Sequence, residues 1–334
     1  MSQPWLRRIG LRQPVVQAGM GGGLSGAALV AAVSEAGGLG TLGLGPPAEF
    51  RAELKLLRER LGERPFAANL LLPFVRAAHV AACLEYRPAV VTLFYGYDAA
   101  LVRRLRERGI QVWHQVGDAA QAQRALDDGA DGLIAQGVEA GGHLAGDTPL
   151  AEVLPALRPL AGQRPLLAAG GIHDAATASR ARQLGADGVV AGTRFLLTPE
   201  SNASDEYKAR LLAAQETLRT ELFGLAWPAP HRVVPNAATA RWCGQDARGP
   251  AWARALNTLM VPSRRLLPMS AVVGLVGMQR LMLPLYSPAA PLRGMPAHRL
   301  EVAPLYAGTC VARIDRLLPA AEIVAELARG YGAA

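Results

Sequence analysis

The chain has 334 residues, enough for one large barrel or two ordinary domains; 51% of it is hydrophobic but only 5% aromatic, so alanine, leucine and valine carry the packing. The formal charge is +8, yet Lys55 and Lys208 are the only lysines and the arginines are scattered among acids on helix-like faces. A nucleic-acid surface needs such charges clustered, with aromatics between them, so no nucleic-acid partner is expected.

Met1-Ser2-Gln3-Pro4-Trp5 carries no apolar targeting region. The most apolar later stretch, 266–285, is interrupted by Pro268, Gln279, Arg280 and Pro284, too often for a membrane span. Cys83, Cys243 and Cys310 lie far apart with no CxxC or Cys/His spacing, which points to reduced structural thiols and to no metal site. A soluble, cytoplasmic protein with no membrane partner is expected.

Eight short apolar runs follow in order, at 15–19, 39–44, 66–71, 90–95, 110–116, 132–136, 165–170 and 188–192. Between most of them lie amphipathic segments such as 99–108, 119–128 and 175–184, the pattern of a parallel sheet covered by helices. Eight units in this length predict an α/β fold, a (β/α)8 TIM barrel; an open doubly wound sheet satisfies the same periodicity. An internal echo favours the barrel. Gly129-Ala130-Asp131-Gly132-Leu133-Ile134-Ala135 is answered by Gly185-Ala186-Asp187-Gly188-Val189-Val190-Ala191, each glycine placed to end a helix.

After the first run, Gly21, Gly23 and Gly26 fit the G-x-G-x-x-G dinucleotide pattern. The ribose-binding acid that pattern needs at the end of the second strand is missing, because Glu49 lies beyond Pro46 and Pro47. These glycines are read instead as letting the first loop approach a flat ligand closely. His114, near the end of the fifth run, is expected to line the barrel mouth.

The sixth run leads into Gln136-Gly137-Val138-Glu139-Ala140-Gly141-Gly142-His143. An amide, three glycines, a carboxylate and a histidine without periodicity pack nothing well; the segment turns tightly and ends on a side chain that titrates near neutrality. Glu139 is read either as orienting His143 or as a solvent-facing turn residue. The seventh and eighth runs end in Gly170-Gly171 and Gly192-Thr193, at the positions where barrels bind phosphate through backbone N–H groups.

Beyond residue 200, 201–222 reads as helical, prolines and tryptophans crowd in from Trp227 to Arg299, and 319–330 reads as a helix with Pro319 in its first turn and Gly330 as its stop. The expected division is a barrel over 1–222, a cap or substrate segment over the barrel mouth at 223–318, and a closing helix packed on the barrel at 319–334. No nucleophile elbow beside a Ser/His/Asp order is present, so acyl hydrolysis has no support.

With these residues in hand, the chain resembles the nitronate monooxygenase family and is similar to flavin-dependent enoyl-acyl-carrier-protein reductases of the same superfamily. The carriers are Gln17-Ala18-Gly19-Met20, Phe66-Ala67-Ala68-Asn69-Leu70, Ala135 to His143, Ala169-Gly170-Gly171-Ile172, Gly192-Thr193-Arg194-Phe195 and Leu305-Tyr306-Ala307-Gly308. The resemblance implies a barrel with noncovalent FMN. Ala18, Gly19 and Met20 would face the flavin, Asn69 and Gln136 would hydrogen-bond it, and Gly141 and Gly142 would border it. Gly170, Gly171, Gly192 and Thr193 would hold its phosphate, and His143 would be the active-site histidine. Tyr207 and Lys208 resemble a substrate-side segment in which the family often has histidine where Ser204 stands.

The implied reaction is oxidation of an alkyl nitronate by O2 to a carbonyl compound and nitrite. His143 would act as a base on a neutral nitroalkane or, as a cation, hold the nitronate. The partners are then a small-molecule substrate and O2, and a homodimer is compatible with this reading. One rival keeps FMN but takes electrons from NAD(P)H to reduce enoyl thioesters or quinones. Another is a non-catalytic barrel that binds a phosphate-bearing ligand, with His143 only completing a turn.

Overall fold

The computed structural model describes residues 4–262 and 279–332. No helix among the described residues is long and apolar enough to cross a membrane; the part of the interrupted apolar stretch at 266–278 lies outside them. The chain forms two compact units, one of 1–139, 145–202 and 316–334, the other of 140–144 and 203–315.

In the first unit the strands are β1 (Val15–Gln17), β2 (Thr41–Leu42), β3 (Ala67–Leu71), β4 (Val90–Phe94), β5 (Gln111–Val116) and β6 (Gly132–Gln136). The next strand in the chain, β7 (Gly142–His143), belongs to the other unit, and β8 (Leu166–Ala169) and β9 (Gly188–Ala191) complete the first. The eight strands of this unit are parallel and ordered β1-β9-β8-β6-β5-β4-β3-β2. Val16 bridges Leu39 in parallel, and Gln17 N–H donates to Leu39 O at 3.0 Å, which closes the ring. The eight expected strands are all present, and ring closure excludes the open sheet.

Alternate strand residues divide the core. Val16, Leu39, Ala67, Val90, Trp113, Ile134, Leu167 and Val190 fill the barrel, with Trp5 of the helix Pro4–Ile9 meeting Trp113 edge-on at 5.7 Å. The opposite parity, including Val15, Val112, Leu133, Ala168 and Val189, packs against the helix layer. Burying each of the valines, leucines and isoleucines contributes about 1.5–3 kcal/mol.

Asp98, Asp118 and Asp174 start the helices Ala99–Arg106, Ala119–Asp127 and Ala175–Gln183, each accepting an N–H bond in the first turn. Gly129 and Gly185 follow two of these helices at φ +95° and +97°, as the internal echo predicts. The last helix is Ala320–Arg329; Pro319 lies just before its first turn rather than in it, and Glu200 accepts the Ala320 N–H at 3.1 Å.

The second unit holds the helix Asp205–Leu212 and an antiparallel sheet in which β11 (His231–Val234) pairs with β10 (Leu218–Thr220), β12 (Leu305–Tyr306) and β7. The helical expectation for 201–222 therefore holds only for 205–212. Leu218–Thr220 pairs with Val233–His231, and that ladder overrides local propensity. Asn236 accepts from Thr239 N–H to start the helix Ala237–Trp242 and donates to Leu300 O at 2.7 Å and Ala303 O at 2.9 Å. That one buried amide joins segments more than sixty residues apart in the chain.

Candidate active site

The barrel interior carries polar side chains at Thr41, Asn69 and Thr92, with Asn69 and Thr92 in register on neighbouring strands. Asn69 Nδ2 donates to Gly19 O at 3.1 Å. A Cβ at Gly19 would run into Asn69 Cβ and lie 3.0 Å from Thr41 Cγ2, so only glycine permits this approach. Thr41 Oγ1, Asn69 Oδ1 and Thr92 Oγ1 are out of solvent and have no hydrogen-bond partner among the described residues. Leaving such an atom unpaired costs about 1–3 kcal/mol, and here three neighbouring strands share that cost.

The loop after β1 is held by two residues that the sequence reading gave no role. Ser25 Oγ accepts the Met20 N–H at 3.0 Å and donates to Ala18 O at 3.2 Å. Gln17 Oε1 accepts the Thr41 N–H at 2.9 Å, while its amide donates to Ala18 O and, at 2.8 Å, to Ser25 Oγ. Ala18, Gly19 and Met20 remain half-buried. Beyond them the helix Ala27–Glu35 begins against the Glu53 carboxylate, which accepts the Ala27 N–H. A carboxylate already on this helix N-terminus repels a pyrophosphate, in keeping with the missing ribose acid.

At the expected phosphate turns, Gly170 and Gly171 take φ +123° and +72°. Gly192 precedes the four-residue helix Thr193–Leu196, and a Cβ on Gly192 would make only an ordinary 3.7 Å contact with Ala18. The protein's own packing thus leaves space beside Gly192. Gln136 Oε1 accepts the Ala145 N–H at 2.6 Å, tying down the end of the loop that leaves β6. Glu139 accepts the Leu150 N–H at 3.0 Å at the start of the helix Leu150–Ala161.

His114 does not share the parity of the barrel interior. It falls in register with Val112 and Val116, its Nε2 lies 2.9 Å from Gly96 O, and Tyr97 stacks on it at 5.1 Å. The ring thus faces the helix layer and not the barrel interior. Burial pulls its pKa below the ordinary histidine value.

In the second unit, antiparallel pairing of β7 with β11 sets His143 opposite His231. Directly opposed residues share a sheet face, so their rings meet at 5.0 Å. Trp227 stacks on His143 at 3.6 Å with planes 16° apart, and the Tyr306 ring lies 5.6 Å away. His143 Nε2 is out of solvent. Burial, and then the neighbouring His231, hold the pKa of His143 well below that of an ordinary histidine, so the ring is neutral at pH 7. His231 is fully buried between Ala229 O, 2.9 Å from Nδ1, and the Phe223 N–H, which donates to Nε2; burial depresses its pKa to about 4.

Gly141 packs directly on the Ala307–Gly308 backbone, and Gly142 takes φ +73°, so each has a reason to be glycine inside this unit. Tyr207 is fully buried and donates its hydroxyl to Tyr306 O at 2.8 Å; Lys208 is buried beside it on the same helix. Ser204, where the family often has histidine, is the N-cap of that helix and accepts the Tyr207 N–H at 3.2 Å.

The expected site residues thus form two groups. Ala18, Gly19 and Asn69 meet in the barrel with Gly192 beside Ala18, whereas Gly141, Gly142, His143 and Tyr207 belong to the second unit. Trp227, His231 and Tyr306 were not singled out as site residues from sequence. The one signal for them was the Leu305-Tyr306-Ala307-Gly308 motif, whose backbone packs on Gly141.

The chain matches the nitronate monooxygenase family over residues 4–80 and 74–330. It is 33% identical over 292 residues to a nitronate monooxygenase of Pseudomonas aeruginosa, covering 71% of this chain and 82% of that one. It is also 33% identical over 231 residues to a Rhodococcus jostii (3aS,4S,5R,7aS)-5-hydroxy-7a-methyl-1-oxo-octahydro-1H-indene-4-carboxyl-CoA dehydrogenase, covering 68% of this chain and 64% of that relative's own length. The solved structure of FabK from Thermotoga maritima superposes with a TM-score of 0.78 at 26% identity, over 99% of this chain and 96% of that one. The chain belongs to the nitronate monooxygenase family and is an oxidoreductase.

Proposed function

We propose that the protein binds FMN noncovalently and oxidises alkyl nitronates with O2, yielding a carbonyl compound and nitrite. The observation that carries the cofactor is the set of three orphaned oxygens on Thr41, Asn69 and Thr92, beside a glycine that brings the first loop onto Asn69. These groups suit the polar edge of a flat ring. Gly170, Gly171, Gly192 and Thr193 would hold the single terminal phosphate, with Gly19, Met20, Asn69 and Gln136 toward the ring. When bound, FMN supplies the electron transfer between substrate and O2.

The chain's own contribution is proton handling. His143 is neutral, which supports its role as a base that takes the proton from the α-carbon of a neutral nitroalkane at a ring nitrogen. A resident cation that holds the nitronate is disfavoured by the same burial. Heat release and chromatography of the bound flavin should give FMN. Propionate 3-nitronate should then release nitrite in air, and NADH or NADPH should leave the flavin unbleached without air. FAD, no flavin, or rapid bleaching without nitrite would overturn the reading.

A second reading draws on the Rhodococcus jostii relative, whose name ends in carboxyl-CoA dehydrogenase. Under it, electrons pass between NAD(P)H and a thioester substrate on the same FMN. Bleaching by NAD(P)H, reversed by an enoyl thioester, would select it.

A further inference from the structure

Trp227 occupies a turn of unusual backbone. Ala226 before it takes φ +57°, a left-handed conformation disfavoured for any residue with a Cβ. Trp227 N–H donates to Gly224 O at 2.8 Å and Ala229 N–H donates to Trp227 O at 2.9 Å. Gly224 has no room for a side chain, since a Cβ there would lie 2.8 Å from Glu221 O. This turn delivers an indole nearly parallel to the His143 imidazole, 3.6 Å away, with Trp227 only 7% exposed.

We propose that Trp227 is a positioning residue for His143: its indole fixes the plane of the imidazole and keeps water from one face, so that the ring is presented as a proton acceptor. This rests on the reading of His143 as a base. The stack covers one face of the imidazole and keeps water from it, which disfavours the cation.

The other groups facing His143 act with it or are neutral. His231 approaches from β11, and Tyr306 from β12 with its carbonyl bonded by the Tyr207 hydroxyl. Arg232 alternates to the other face of β11 and donates to Thr217 Oγ1 at 3.2 Å. His143 can be presented to a substrate with its plane set, as an unrestrained imidazole could not.

The test is a histidine-ring NMR titration of the full-length chain from about pH 8 to pH 5, with His143 assigned by its loss in His143→Ala. The parent and Trp227→Phe, which keeps a flat cover, should show a His143 midpoint well below that of an ordinary histidine. Trp227→Ala should bring its midpoint up by one or more pH units toward the ordinary value of about 6.5, with Trp227→Leu between. Should Trp227→Ala fail to fold, Trp227→Leu carries the test. A His143 midpoint in both variants no higher than in the parent overturns the proposal. The acid limb of kcat/KM on a neutral nitroalkane should move with the midpoint. If the midpoint rises and the limb does not, the stack stands and the base assignment falls.

Discussion

Asn69 and Gln136 are both amides on apolar barrel strands, and their surroundings separate them. Asn69 spends its Nδ2 on Gly19 O and keeps an unpaired Oδ1 inside the barrel. Asn69→Ala should therefore weaken flavin retention in an equilibrium dialysis assay while leaving the melting temperature close to the parent. Retention equal to the parent would remove Asn69 from the cofactor site. Gln136 carries a structural bond as well, from Ala145 N–H to its Oε1. Gln136→Ala should also cost about 1 kcal/mol of stability, read from the denaturant midpoint, because that N–H loses its partner. The residue types at these two positions were legible in the sequence, since an amide within or at the end of an apolar strand has few uses. Their partners were not, because Gly19 lies fifty residues from Asn69 in the chain.

At the scale of elements, the eight barrel strands were legible because each is a continuous apolar run bounded by glycine or a polar turn. The sheet of the second unit was not. Its β7 has two residues and its β12 two, too short for any periodicity, and the pairing of His143 with His231 spans most of a hundred residues. Close backbone approaches were equally hidden. A Cβ at Gly43 would collide with Met20 O, so Gly43→Ala should lower stability by about 1–3 kcal/mol and disturb the loop carrying Gly19 and Met20. A denaturant midpoint equal to the parent's would show that the approach is not a constraint. Arg87 gives the opposite case. It is exposed and ends the helix Ala77–Tyr86 at φ +46°, so Arg87→Gly should be neutral or stabilising by up to about 1 kcal/mol.

For the whole molecule, composition and alternation were enough to reach a barrel, and the resemblance added the family. The units divide at 202/203, and the pairing of Leu218–Thr220 with Val233–His231 within the second is a long-range contact that no local pattern encodes. A pH dependence of stability also emerges at this scale. His79, His114, His143 and His231 all have pKa values depressed by burial first, that of His231 to about 4. Below about pH 6.5 the unfolded chain takes up protons that the folded chain refuses, so stability is full above that value and falls as pH drops toward 4. Asp174 and Asp246, whose pKa values are lowered, act in the same direction but only below the ordinary carboxylate range. The urea midpoint should therefore decline between about pH 6.5 and pH 4.5, before carboxylates contribute. A midpoint constant across that window would mean that these rings titrate normally.

The most direct test of the account compares nitrite release, with matching O2 consumption, by the parent and His143→Ala on a neutral nitroalkane and on its preformed nitronate. The parent should oxidise both. The variant should keep its flavin and most of its rate on the nitronate, and lose about 10²–10⁴-fold on the nitroalkane, the usual contribution of a general base. Equal rates for parent and variant on both substrates would remove His143 from catalysis, and a parent that releases no nitrite from either would contradict the proposed reaction itself.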